Sequence, residues 1–239
     1  MKKLFVLLYL ITIGFSNAKA QDVVYDENVE LRTVGDFSAI EVSGTISLYL
    51  SQGNENGVAI SAGEEKNNNK IKTEVKNGVL KISVDGGLWN GMGWTNRKLK
   101  AYVSFKSLTN LNVSGASFAT SNGPINVDAL KIGVSGASEI KAILNVKELD
   151  VDLSGASVAK LSGTADHATI DASGATKINA YELVVNSCKA SASGASSIRI
   201  TANKEINASA SGGANIYYKG SATTVNMNSS RGANVKKQD

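Results

Sequence analysis

The stretch VDLSGASVAK, residues 151–160, is an alternating apolar–polar segment that runs into Ser-Gly-Ala-Ser and then resumes. Nearly the same phrase returns in GVSGASEIKA (133–142), IDASGATKIN (170–179) and SASGASSIRI (191–200). Taking the glycine after the serine as a marker gives Gly115, Gly136, Gly155, Gly174, Gly194 and Gly212, with Arg231 at the seventh equivalent place. The intervals are 21, 19, 19, 20, 18 and 19 residues. Self-similarity at such a period is the signature of a solenoid, in which each repeat buries its apolar side only by stacking on its neighbours.

The period within each repeat is two, which selects strands over helices. Counting back two, four and six residues from the markers gives mostly apolar sets, such as Val134/Ile132/Leu130 and Leu153/Val151/Leu149. Later sets shrink to Ala192/Ala190/Cys188 and Ala210/Ala208/Ile206, and the outermost two are Val113/Leu111/Thr109 and Ser229/Met227/Val225. Counting forward gives small residues (Ser117, Ser138, Ser157, Thr176, Ser196, Ala214, Ala233), then a mostly aliphatic column (Ala119, Ile140, Ala159, Ile178, Ile198, Ile216, Val235). These columns face inward and predict a narrower core toward the C-terminal half. The predicted fold is all-β: a right-handed parallel β-helix-like solenoid with about seven C-terminal coils of 18–21 residues and a less regular N-terminal β region. The six marker glycines are its structural turns, because a corner repeated at one strand spacing favours positive φ and tiny side chains. At Arg231 the pattern predicts a relaxed turn or a shift of register to Gly232.

Residues 1–20 read as a signal peptide: Lys2 and Lys3, an apolar run from Leu4 to Phe15, and Ala18-Lys19-Ala20. The run is too short for a membrane span, no cysteine follows it for a lipid anchor, and no later stretch is apolar enough to cross a bilayer. The product is therefore expected to be exported to the periplasm, cell surface or exterior. No outer-membrane barrel follows the repeats, which disfavours self-export. The full chain carries 25 − 21 = +4 charges and the mature chain 22 − 21 = +1, which gives no basis for nucleic-acid binding. Cys188 is the sole cysteine, so no intrachain disulfide exists, and its inward column marks it as a small buried residue. Residues 21–107 read as strands that start or cap the solenoid, and 108–239 as the repeats themselves. Asn77-Gly78 between KIKTEV and GVLKISV is a hairpin signal, and Ser43-Gly44 a degenerate copy of the corner.

The opening F-x-x-I-x-V-S-G (Phe37, Ile40, Val42, Ser43, Gly44), the NGVLKI strand and the iterated V-S-G-A-S turns together resemble the secreted bacterial family of auto-transporter adhesins called the head GIN domain. The resemblance covers almost the whole mature chain. It implies a β-helix-like fold and a cell-surface or periplasmic setting, and it supplies no catalytic or binding residues to carry over.

Candidate sites follow from outward residues. Asp152 and Asp171 stand three residues before their markers on successive coils, and Asp150 and His167 share that face by parity. Paired carboxylates at one strand spacing are near the separation a retaining glycosidase uses. No Lys or Arg is expected on the aligned positions, and a solvated charged face is the plainer reading. His167, the sole histidine, excludes a multi-histidine zinc site, and the Gly-Gly-x-Gly-x-Asp calcium repeat is absent, so no cofactor or metal is expected. Trp89, Asn90, Met92 and Trp94 occupy a Gly-rich loop whose aromatics either stack on sugar rings or fold down as a plug. The functional expectation is a secreted, non-enzymatic β-solenoid for adhesion or for envelope and glycan interaction. The alternative is a carbohydrate-active enzyme, lyase- or glycosidase-like, or a carbohydrate-binding module. It would be centred on Asp150, Asp152 and Asp171 or on Trp89, Asn90 and Trp94.

Overall fold

The computed structural model describes residues 28–63, 65–84, 99–230 and 232–238; the leader at 1–20 and the Trp89, Asn90, Met92 and Trp94 loop lie outside them. In chain order the strands are β1 (Glu30–Arg32), β2 (Ala39–Val42), β3 (Ile46–Gln52), β4 (Gly57–Ser61), β5 (Ile71–Lys76), β6 (Val79–Val84), β7 (Leu99–Phe105) and β8 (Asn110–Val113). They continue with β9 (Phe118–Val134), β10 (Glu139–Leu153), β11 (Val158–Ala172), β12 (Lys177–Ala192), β13 (Ser197–Ala210), β14 (Asn215–Lys219), β15 (Thr224–Ser229) and β16 (Asn234–Lys237). A 3-10 helix, Glu65–Lys70, is the only helical segment among the described residues. The chain winds a β-solenoid of about seven turns.

From β8 onward each coil is nearly continuous strand, interrupted by a four-residue corner such as Ser154-Gly155-Ala156-Ser157. Neighbouring coils pair in parallel, and Val151 lies between Ile132 and Ile170 with like stacked on like. The corner glycines have φ between +69° and +80°. A Cβ on Gly155 would sit 2.6 Å from the Gly136 carbonyl oxygen, so the position needs glycine for space as well as for conformation. The hydrogen-bond ladder runs through the corners too: Ala156 N–H donates to Gly136 O at 2.7 Å, and Ala175 N–H to Gly155 O at 2.8 Å. At the final turn a positive φ falls on Gly232 (+90°), while the pairing register is the same on both sides of it, Ala210 with Ser229 and Asn215 with Asn234.

A second bend lies on the far side of each coil. There the inward alternation slips by one, leaving two successive outward residues: Asp128 and Ala129, Lys147 and Glu148, Asp166 and His167. One contiguous core extends from Phe37 to Tyr218. Three inward assignments fail at its margins, Ser229 being exposed along with the two that follow. Thr109 is exposed and Leu108 is buried in its stead, while Met227, with no coil beyond it, is 54% exposed. The shrinkage of the columns is confined to one wall. The coils that carry Ala190, Ala192, Ala208 and Ala210 bury Ile178, Ile198 and Ile200 on another. Cys188 is buried, and desolvation pushes its thiol up to about 12.

The N-terminal coils stack out of chain order. β2 and β3, joined by Ser43-Gly44-Thr45, pair in parallel with β8 and β9 (Ile40 with Leu111, Leu48 with Ala119). On their other side lie β6 and β7, which come later in the chain (Ile40 with Leu80, Leu48 with Ala101). Antiparallel strands close this end: β5 on β6, β4 on β7 and β1 on β4. The β5–β6 turn is the hairpin at Asn77 (φ 52°) and Gly78 (φ 74°). At the opposite end β15 and β16 pair only inward, onto β13 and β14. Lys237 is exposed in the inward column beyond buried Tyr218, and a charge there discourages strand addition.

Candidate functional site

Two concave surfaces run across the coils. The first holds the sequence-predicted carboxylates. Asp152 and Asp171 are direct cross-strand partners, so their Cα atoms are about one strand spacing apart. Both line a small hollow of about 190 Å³ whose remaining wall is mostly serine: Ser173, Ser191, Ser193, Ser209 and Ser211. Asp150 stands in the neighbouring column, aligned with Lys131 and Thr169, and its carboxylate meets the Lys131 ammonium at 3.0 Å. That hydrogen bond and charge raise the Lys131 pKa, with smaller contributions from Asp152 and Asp171. The expectation that no lysine shares the aligned positions is therefore corrected: Lys131 and, opposite Thr169, Lys189 occupy that column. His167 is aligned with Glu148 and Ser187 at the second bend, outside the Asp150 column. Among the described residues no three metal-ligating side chains converge.

The second surface was not anticipated from sequence. It is a groove of about 900 Å³ along the second bend. Asn126, Asn145 and Thr164 lie in register on successive coils. The Asn145 amide donates to Asn126 Oδ1 at 2.9 Å, and the Thr164 hydroxyl to Asn145 Oδ1 at 3.3 Å. Gln52, the last residue of β3, extends this polar ladder by imitating a strand. Its Oε1 accepts from Asn126 N–H at 2.7 Å, and its Nε2 donates to Asn126 O at 3.0 Å. The opposite rim is charged: Lys147 meets Asp128 at 2.8 Å, and the Asn186 amide donates to Asp166 at 3.0 Å. The hydrogen bond and charge of Asp128 raise the Lys147 pKa. The signal was present in the repeat. Asn126, Asn145 and Thr164 each stand ten residues before a marker glycine, and Asp128, Lys147, Asp166 and Asn186 eight before.

The family described as "putative auto-transporter adhesin, head GIN domain" matches residues 36–222. The chain belongs to that family. This head GIN domain resembles the crystal structure of a putative adhesin from Bacteroides fragilis NCTC 9343 at 23% identity, with a TM-score of 0.80 over 88% of this chain and 96% of that one. It also resembles a putative adhesin from Parabacteroides merdae ATCC 43184 at 20% identity, with a TM-score of 0.68 over 88% and 95% of the two chains. A third similar structure, a putative lipid-binding protein from Parabacteroides distasonis ATCC 8503, is 19% identical, with a TM-score of 0.65 over 89% and 97%. At these identities the likeness concerns the fold. No curated protein matches the chain in sequence. Among the described residues of the head GIN domain no helix is long and apolar enough to cross a membrane.

Proposed function

We propose that this head GIN domain is an exported adhesion module, without catalytic activity, that holds a linear neutral glycan in the groove along its second bend. The observation that carries the reading is the hydrogen-bonded ladder of Asn126, Asn145 and Thr164, one polar side chain per coil. From the coil of Gln52 to that of Asn186 the groove crosses four strand spacings, about 19 Å. A chain of pyranose rings repeats at a distance comparable with the strand spacing, so successive rings meet equivalent amides and hydroxyls. Each contact is weak and exposed, and affinity comes from their number in register.

The test is an array of linear neutral polysaccharides, including xylan, mannan and cello-oligosaccharides, probed with the mature chain. Binding to at least one is expected, with Asn126→Ala plus Asn145→Ala weakening it about tenfold, the sum of two hydrogen bonds of moderate strength. Asp152→Ala plus Asp171→Ala should leave that binding intact and reveal no lost turnover. Retention of none of these glycans, or unchanged binding by the asparagine double variant, overturns the groove reading.

A further inference from the structure

The last three strands of the face that follows the corner carry a group of cations that no carboxylate pairs with among the described residues. Arg199 on β13, Tyr217 on β14 and Lys236 on β16 are aligned in one column, and Lys219 ends β14 beside Thr201. The Arg199 guanidinium lies 5.7 Å from the centre of the Tyr217 ring, and the Lys219 ammonium 5.1 Å from that of Tyr181. Tyr181 is itself held in place, its hydroxyl donating to Gln238 Oε1 at 2.5 Å. No aspartate or glutamate occurs in 197–201, 215–219 or 234–238. Three outward lysines of the middle coils are neutralised, in Lys131–Asp150, Lys147–Asp128 and Lys160–Glu139. Among the described residues beyond Lys160 no ion pair forms.

Protection of an open edge accounts for Lys236 and Lys237 on the final strand. It does not account for Arg199 and Lys219, whose strands β13 and β14 are paired on both sides. Two rings hold these cations at fixed positions, which lowers the entropy lost when they engage an anion. We infer that this surface is a second binding site, separate from the groove, for an acidic polysaccharide that presents carboxylates at intervals near the strand spacing. Arg199 supplies a planar fork matched to a carboxylate, and Lys219 and Lys236 supply point charges on either side. The outward neighbours Asn179, Thr201 and Asn215 are partners for sugar hydroxyls. Val184, aligned with Thr201, is the one large aliphatic side chain exposed beside this surface, too little apolar area to enter a bilayer, which favours a saccharide over a lipid surface.

The experiment measures binding of the mature chain to polygalacturonate, to neutral dextran of matched size and to phosphatidylglycerol vesicles. Polygalacturonate is expected to bind, to weaken at high salt and to lose about tenfold in affinity in Arg199→Gln plus Lys219→Gln. Lys236→Glu, an exposed change that disturbs no ring contact, should weaken it in the same direction while the melting curve stays unchanged. Asn126→Ala plus Asn145→Ala should leave it unaffected, so failure of this site and failure of the groove are read separately. Equal retention of dextran, indifference to the charge variants, loss through the groove variant, or binding to vesicles but not to polygalacturonate overturns the inference.

Discussion

At the scale of single residues, the corner glycines meet two separable demands. Positive φ disfavours any Cβ by about 1–2 kcal/mol, and close approach adds a second cost wherever the coil beneath is near. The chain offers a graded series. At Gly78 (φ +74°) a Cβ would meet nothing within 4 Å, at Gly212 (φ +69°) it would lie 3.1 Å from Gly194 O, and at Gly155 (φ +74°) 2.6 Å from Gly136 O. Alanine at Gly78 should therefore cost about 1 kcal/mol, at Gly212 slightly more, and at Gly155 about 3 kcal/mol or above, because two paired backbones must separate. Urea denaturation of the three variants checks the order. Equal losses at Gly78 and Gly155 would show that conformation alone, and not stacking, selects glycine in the corner.

At the scale of the element, the residue that closes the corner is buried and polar in five successive coils, at Ser117, Ser138, Ser157, Thr176 and Ser196. Ser157 and Ser196 settle this with a hydroxyl whose single proton lies between two carbonyl oxygens, of Val134 and Ser154 for Ser157, and of Ala172 and Ser193 for Ser196. Thr176 occupies the same place, yet its Oγ1 is buried without a partner. A buried unsatisfied hydroxyl is costly, whereas an apolar group of the same shape is not. Thr176→Val is thus expected to stabilise by about 1 kcal/mol, and Ser157→Ala to destabilise by a similar amount. Thermal unfolding of both variants gives the signs, and a destabilising Thr176→Val would mean the hydroxyl is satisfied in solution. These corners, the inward columns and the Asn77-Gly78 hairpin were legible because side-chain parity and turn chemistry are local. The order of the N-terminal coils was not. Alternation tells which side of GVLKISV faces the core, but nothing local tells β6 to pair with the far edge of β2. The groove was legible in part: its columns obey the repeat, but Gln52 joins them from a strand distant in sequence, by a side chain acting as backbone.

At the scale of the molecule, the solenoid is one-dimensional, and each coil is stabilised chiefly by its interfaces with the coils on either side. The two ends differ in how they replace the missing neighbour. At the N-terminal end β1, β4 and β5 add antiparallel strands, and Leu80 and Ala101 of the outermost parallel coil are fully buried beneath them. At the C-terminal end β15 and β16 have one pairing edge in use, Met227 is 54% exposed, and Val225 and Val235 are only partly covered. Opening the last coil breaks one interface, while opening an inner coil breaks two, so local unfolding should begin at the C-terminal end. Coil 139–153 has neighbours on both sides and a wall of Leu149, Val151 and Leu153, each leucine or valine contributing about 1.5–3 kcal/mol on burial. Native-state hydrogen exchange should therefore show amides of 224–238 exchanging first, those of 197–219 next and those of 139–153 last. A hydrophobic addition that extends the stack, or occupancy of the Arg199–Lys219 surface by polygalacturonate, should slow the first class selectively. Uniform protection along the chain would instead mean that the solenoid opens as a single cooperative unit, with its exposed end as firmly held as its centre.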